Sequence, residues 1–254
     1  MSGRPYVLSE TTWKTVKDTP YEVAILPWGA TEAHNYHLPY GTDNIQCDHI
    51  AAAAAGYAWE QGAKVVVLPT VPFGVNTGQL DVKLDINMNP STQMAVLDDV
   101  ASCLTRQGIP KLLVFNGHGG NDFRQILREL VPKYDLFLCT IEWYKAIDMF
   151  RLFEEPGDHG GEMETSLMQV FTPEWVLPMS EAGDGAEKPF RVPGLRDGLA
   201  WAQRIWPLMT ADTGVGNPAL ATPEKGRLCL EALTARIGDF LVDLAAADPK
   251  DMYE

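Results

Sequence analysis

Cysteine is scarce in this 254-residue sequence: Cys47, Cys103, Cys139 and Cys229 stand far apart, with no CxxC pair. That scatter excludes a closed thiolate zinc site, offers no disulfide framework, and reads as reduced thiols in a cytoplasmic protein. Cys47 falls a turn into a predicted helix without an evident partner, so a cysteine nucleophile is a poor reading. Basic residues are also few, 20 Lys and Arg against 34 Asp and Glu, giving a net charge of −14. Nucleic-acid phosphates need basic patches, and anionic membranes gain nothing from such a surface, so neither partner is expected. No apolar run approaches the ~20 residues of a bilayer span. No apolar signal segment follows Met1. The glycine-rich runs match neither GxxxxGK[ST] nor GxGxxG, which sets phosphate cradles aside.

What is present is ordinary for a globular protein, 46% apolar and 21% charged residues. The length suits a single domain over 1–254. Short apolar runs at 23–26, 64–68, 111–115 and 135–141 read as strands. Helical patterns fall over 43–61, 91–107, 121–132, 162–171 and 224–246, with Pro90 starting one of them and Gly62 and Gly108 as stops. Strands separated by helices of this length imply βαβ units, hence an α/β fold with a mostly parallel sheet covered on both faces. Ligand sites in such sheets lie at the carboxyl ends of the strands. The Pro-, Gly- and acid-rich stretch 173–222 lacks periodicity and reads as a surface excursion, lid or oligomer contact.

Three polar clusters fall at those strand ends. In the first, Glu32 and His34 are two apart in an extended segment and face the same way, while Asp43 stands near the next helix start, as an N-cap or a further ligand. Carboxylate and imidazole together suit zinc, manganese or iron. The second cluster, Asn116-Gly117-His118-Gly119-Gly120-Asn121, puts a histidine among glycines directly after a buried strand, where backbone approaches a ligand closely. The third holds Asp158, His159, Glu162 and Glu164. His159 suits a mobile general acid/base in its glycine-flanked loop. Glu162 and Glu164 open a helix, where capping alone accounts for at least one of them. Trp28, Trp143 and Tyr36 lie near strand ends, where they serve as packing or as stacking surfaces for a flat ring.

Taken in order, these motifs resemble the creatininase family of amidohydrolases over most of the chain. The likeness is carried by Glu32-x-His34-x8-Asp43 with His37-Leu38-Pro39, by NGHGGN at 116–121, by HGGExETS at 159–166, and by Thr213 to Pro218 with Ala221 to Gly226. The resemblance implies a three-layer α/β/α fold and two divalent metal ions, zinc foremost, with manganese or iron as alternatives. Glu32, Asp43 and His118 would hold one ion, and His34 and Asp43 the second, with Asp43 bridging. The family places a metal-binding glutamate two residues after the NGH histidine. Here that position is Gly120, which points away from creatinine itself and requires another carboxylate, Glu164 first and Glu162 second. His159 matches the family's proton-transfer histidine, and Asp158 is expected to orient it. The implied reaction is attack of a metal-activated hydroxide on an amide-type C–N bond in a small cyclic amide or formamide. Alternatives are a peptide-processing member or a non-catalytic metal-binding protein on the same fold. Family hexamers imply a homo-oligomer.

Overall fold

The protein is described by a computed structural model over residues 3–253, so Met1, Ser2 and Glu254 of the expected single unit lie outside it. Four strands, β1 (Val23–Trp28), β2 (Val65–Val67), β3 (Lys111–Asn116) and β4 (Phe137–Glu142), form one sheet in the order β2-β1-β3-β4. Every pairing is parallel, with Ala24 opposite Leu112 and Lys111 opposite Phe137. The sequence places the end of β1 at Pro27, yet the strand runs through it to Trp28. The Pro27 carbonyl accepts from Val71 on the β2 side of the strand, beyond the last residue of β2. The missing proline N–H points to that same side, so it removes no ladder hydrogen bond.

Five longer helices cover the sheet: α1 (Thr42–Glu60), α2 (Pro90–Gln107), α3 (Phe123–Leu130), α4 (Glu162–Phe171) and α5 (Pro223–Ala246). Their ends follow local chemistry. Pro90 opens α2, and Gly108 closes it at φ +74°, a left-handed conformation natural to glycine. Asp122 caps α3 by accepting from the Arg124 amide, and Thr222 caps α5 by accepting from the Lys225 amide.

Alternation along the strands sends side chains to two separate cores. Val23, Ile25, Leu113 and Phe115 pack under α1, α4 and α5. Ala24, Leu26, Trp28, Leu112 and Val114 pack under α2 and α3. The result is the three-layer α/β/α arrangement. The alanines of α1 (Ala51, Ala54, Ala55 and Ala58) are buried in the first core, where their small side chains let α1 and α5 approach closely. Residues 173–222 form loops and short helical segments of three or four residues, tied back by pairing of Val215 with His159 and of Glu187 with Thr210. Among the described residues no helix is long and apolar enough to cross a membrane.

Candidate metal centre

The chain leaves β1 at Trp28 and delivers Glu32 and His34. It then turns through Asn35 at φ +55° and enters α1, whose second residue is Asp43. β3 delivers His118 two residues beyond its end, and α4 supplies Glu164 from its first turn. All five side chains, and His159 with them, are buried. His118 Nδ1 lies 2.8 Å from Glu32 Oε1 and 3.1 Å from Asp43 Oδ2. His34 Nε2 lies 2.9 Å from Asp43 Oδ1 and 3.9 Å from Glu164 Oε1. Three sets of converging ligand atoms result: Glu32/His34/His159, and two that share Asp43, Glu32/Asp43/His118 and His34/Asp43/Glu164, toward each of which Asp43 turns one oxygen.

The outer nitrogen of each histidine fixes its tautomer. His34 Nδ1 sits 3.1 Å from the Glu32 carbonyl, His118 Nε2 3.1 Å from the Val75 carbonyl, and His159 Nε2 2.8 Å from the Ala33 carbonyl. A carbonyl only accepts, so those nitrogens carry the hydrogens, and the neutral rings turn bare lone pairs inward. At His34 and His118 the lone pairs then face carboxylate oxygens at hydrogen-bond distance, an arrangement that needs a cation between them. Glu32 Oε1 and Asp43 Oδ2 are buried without a well-aligned donor of their own. The donor set therefore fits divalent metal ions, with carboxylate and imidazole ligands and no thiolate.

Without metal, protons fill that role. Burial opposes charge at His34, but Asp43, Glu164 and Glu32 surround the ring and lift its pKa to about 10. The same opposition is overcome at His118 by Glu32 and Asp43, which hold it well above its ordinary value. Burial likewise opposes ionisation of Glu32 and Asp43, yet the neighbouring imidazoles hold both carboxyls low. At Glu164 burial prevails and raises the pKa to about 7. Burial and the adjacent positive His34 ring lower His159 to about 4. Metal needs neutral imidazoles, whereas His34 and His118 are protonated at pH 7 in the metal-free centre. Filling both positions at pH 7 is expected to release about two protons per chain or slightly more, and apparent affinity should rise with pH from 6 toward 9. Calorimetry in buffers of different ionisation enthalpy counts those protons, and pH-independent affinity without proton release would contradict the wiring.

Gly120 cannot supply the missing carboxylate. A Cβ there would fall 2.3 Å from the Val75 carbonyl oxygen and 2.5 Å from His118 Nε2, because the 74–79 loop occupies that space. Gly74 is equally constrained, since its Cβ would meet His118 Cδ2 at 2.6 Å. Of the two candidate replacements, only Glu164 reaches the centre. Glu162 accepts from the Glu154 and Glu155 amides at 3.0 and 2.9 Å and pairs with Lys225.

Other expectations change. Asp158 does not orient His159: its carboxylate pairs with Arg204 at 2.7 Å, and it is largely exposed. The His159 ring is set instead by the Ala33 carbonyl, by stacking on His34 at 3.9 Å, and by the edge contact with Trp206 at 4.7 Å. Its Nδ1 lies 3.8 Å from Glu32 Oε1. Trp28 and Trp143 are buried in packing, and the Tyr36 hydroxyl donates to the Ala211 carbonyl, so none lines a cavity at the centre. Burial and nearby Asp43 keep the Cys47 thiol well above its ordinary pKa, which removes it as a nucleophile. His37 turns away to the Thr165 hydroxyl at 2.8 Å and ties the first cluster to α4.

The sequence reading missed Asn76 and Gln79. Gln79 donates to Glu32 Oε2, and Asn76, with its amide turned so that the nitrogen faces that carboxylate, lies 2.9 Å from the same oxygen. Together they hold the outer oxygen so that Oε1 faces the centre. A cavity of about 580 Å³ opens from Glu32, Asp43 and His118 toward Tyr144, Phe150 and Glu155. A second, of about 300 Å³, opens from Glu32 and His118 toward Gln79, Arg204 and Trp206.

Comparison with known proteins places this geometry among relatives. Residues 9–241 match the Creatininase family, described as creatinine amidohydrolase. A crystal structure of a proposed creatinine amidohydrolase from Bacteroides fragilis NCTC 9343 is 41% identical, with a TM-score of 0.92 over 98% of this chain and 99% of that one. A crystal structure of creatinine amidohydrolase (creatininase) shares the fold at 23% identity and a TM-score of 0.78, over 96% of this chain and 99% of that one. A mycofactocin precursor peptide peptidase of Mycolicibacterium smegmatis (strain ATCC 700084 / mc(2)155) is 26% identical over 80% of this chain and 78% of its own length. Its counterpart in Mycobacterium ulcerans (strain Agy99) is 27% identical over 87% and 86%.

Proposed function

Since this chain belongs to the creatininase family, we propose that it is a metal-dependent hydrolase of an amide-type C–N bond, acting on a small cyclic amide or formamide. One observation carries the reading: two ligand sets share Asp43, one oxygen to each. Glu32, Asp43 and His118 would hold one divalent ion, and His34, Asp43 and Glu164 the other. Zinc is the first choice and manganese the second, since a mutant creatininase has been solved as a Zn-Zn type and creatininase in a manganese form. Two such ions supply an acidified water and a Lewis-acid contact for the carbonyl oxygen. The chain's own residues do the rest. His159, neutral with Nδ1 facing inward, takes the proton from the attacking water and returns it to the leaving nitrogen. Asn76 and Gln79 hold Glu32 in place, and Trp206 shields the His159 ring from bulk water.

A peptide substrate is the second reading. The peptidase relatives favour it, and so does the pair of cavities meeting at the centre, which gives room on both sides of a scissile bond. A panel of cyclic amides, formamides and short peptides, run with added zinc or manganese and again with chelator, tests both. Metal-dependent turnover of small amides supports the first reading, and turnover of peptides alone supports the second. Full metal content with no turnover across the panel would instead indicate a non-catalytic metal-binding protein.

Glu164→Gln keeps the side chain's shape and removes its charge. It is expected to lower bound metal from about two equivalents to about one, since one ligand set loses a carboxylate. Metal analysis after gel filtration reads this, and an unchanged two-ion content would reject Glu164 as a ligand.

A further inference from the structure

The larger cavity carries acids at its rim, including Asp148, Glu154 and Glu155. The smaller one is different. Its only lysine or arginine is Arg204, and its other polar wall groups are amides such as Asn76, Gln79 and Gln203, the histidines of the centre, and the carboxylates of Glu32, Asp122 and Asp158. Arg204 is held firmly. Its guanidinium lies over the Trp206 ring at 5.1 Å and meets Asp158 at 2.7 Å, while Trp206 is itself anchored by its amide to the Gly78 carbonyl at 3.0 Å. Asp158 occupies one end of the fork, and among the described residues no other acceptor meets the remaining donors. The acids of the wall are already engaged: Glu32 by Gln79 and the centre, Asp122 by the Arg124 amide, and Asp158 by Arg204 itself.

We propose that the smaller cavity is a subsite for a carboxylate carried by the substrate on one side of its scissile amide, bound by the free edge of Arg204. Asp158 is then a positioning residue for Arg204, which accounts for its place beside His159 in the chain without a role on that ring. The cavity shares Glu32, His118 and His159 with the larger one, so a substrate with its C–N bond at the centre extends along a continuous wall toward Arg204. At about 30 Å³ per water-sized group, 300 Å³ has room for roughly ten heavy atoms. A fixed, stacked guanidinium suits a planar carboxylate through paired N–H donors, which an ammonium cannot reproduce.

The inference rests on the hydrolase reading above, and its test separates the two. N-formylalanine and its carboxamide are titrated calorimetrically into zinc-loaded protein, and turnover of both is followed in parallel. The free acid is expected to bind about tenfold tighter than the carboxamide, the preference should vanish in Arg204→Ala, and Arg204→Lys should restore part of it. Equal binding of the two compounds by the unaltered protein would overturn the subsite. So would a preference that survives Arg204→Ala, as a carboxylate sitting on the metal ions would give, or an equal weakening of both compounds. A preference lost with Arg204 but no turnover of any amide would keep the subsite and sink the hydrolase reading. Turnover without the preference would do the reverse.

Discussion

Replacing Asp43 by alanine is expected to empty both metal positions and to lower turnover by at least about a thousand-fold, a loss of about 4 kcal/mol of transition-state stabilisation. Asp43 is the one residue common to both sets of a proposed two-ion centre, with Oδ1 2.9 Å from His34 Nε2 and Oδ2 3.1 Å from His118 Nδ1. Without it, Glu32 and His118 remain on one side and His34 and Glu164 on the other, two ligands each. Neither pair makes the three protein ligands typical of a catalytic zinc site. Asp43→Asn tests the same point with the shape preserved, and it should fall nearly as far, because the charge that offsets two divalent ions is gone. The checks are metal content by mass spectrometry and turnover with metal in excess. A variant that keeps a full complement of metal, or loses only one ion while retaining most of its activity, would show that Asp43 does not bridge.

The parts of this site that were legible in the sequence are those fixed by local geometry. Glu32 and His34 are two apart in extended backbone, so their common facing follows from the period of a strand. His118 follows a buried strand whose hydrophobic run is unmistakable, and α4 falls at Glu162–Phe171, where the pattern places it. What was not legible depends on residues far away in the chain. Glu162 and Glu164 share a helical turn, and what separates their roles is that the Glu154 and Glu155 amides, with Lys225 from the far end of the sequence, take Glu162. Asp158 stands next to His159, yet Arg204, far along the chain, captures its carboxylate. Asn76 and Gln79 lie in a long loop with no periodicity, and an amide side chain gives no signal of its own until the fold brings it to Glu32. Even the absence of a glutamate at Gly120 is explained only by the 74–79 loop that fills its space.

His159→Ala is expected to keep its metal and lose turnover by about 10²- to 10⁴-fold, the range for removal of a positioned proton-transfer group. The ring donates from Nε2 to the Ala33 carbonyl and is clamped between His34 and Trp206, so Nδ1 is the atom offered to the reaction. Burial and the neighbouring His34 charge lower its pKa to about 4, so the neutral, proton-accepting form dominates at pH 7. Two bound cations would disfavour protonation further. The acid limb of the rate profile should therefore reflect protonation of the metal ligands rather than of this ring. The competing role is that of a ligand, because Glu32, His34 and His159 also converge. Metal content and kcat together decide between them. Loss of an ion in step with His159→Ala makes the ring a ligand, whereas full metal with kcat reduced and KM little changed makes it the proton carrier. His159→Gln keeps an amide donor for Ala33 but offers no group that carries a proton at neutral pH, so it should behave like the alanine variant. Substantial rescue by glutamine would mean that the ring serves to hold the 159–161 turn in place.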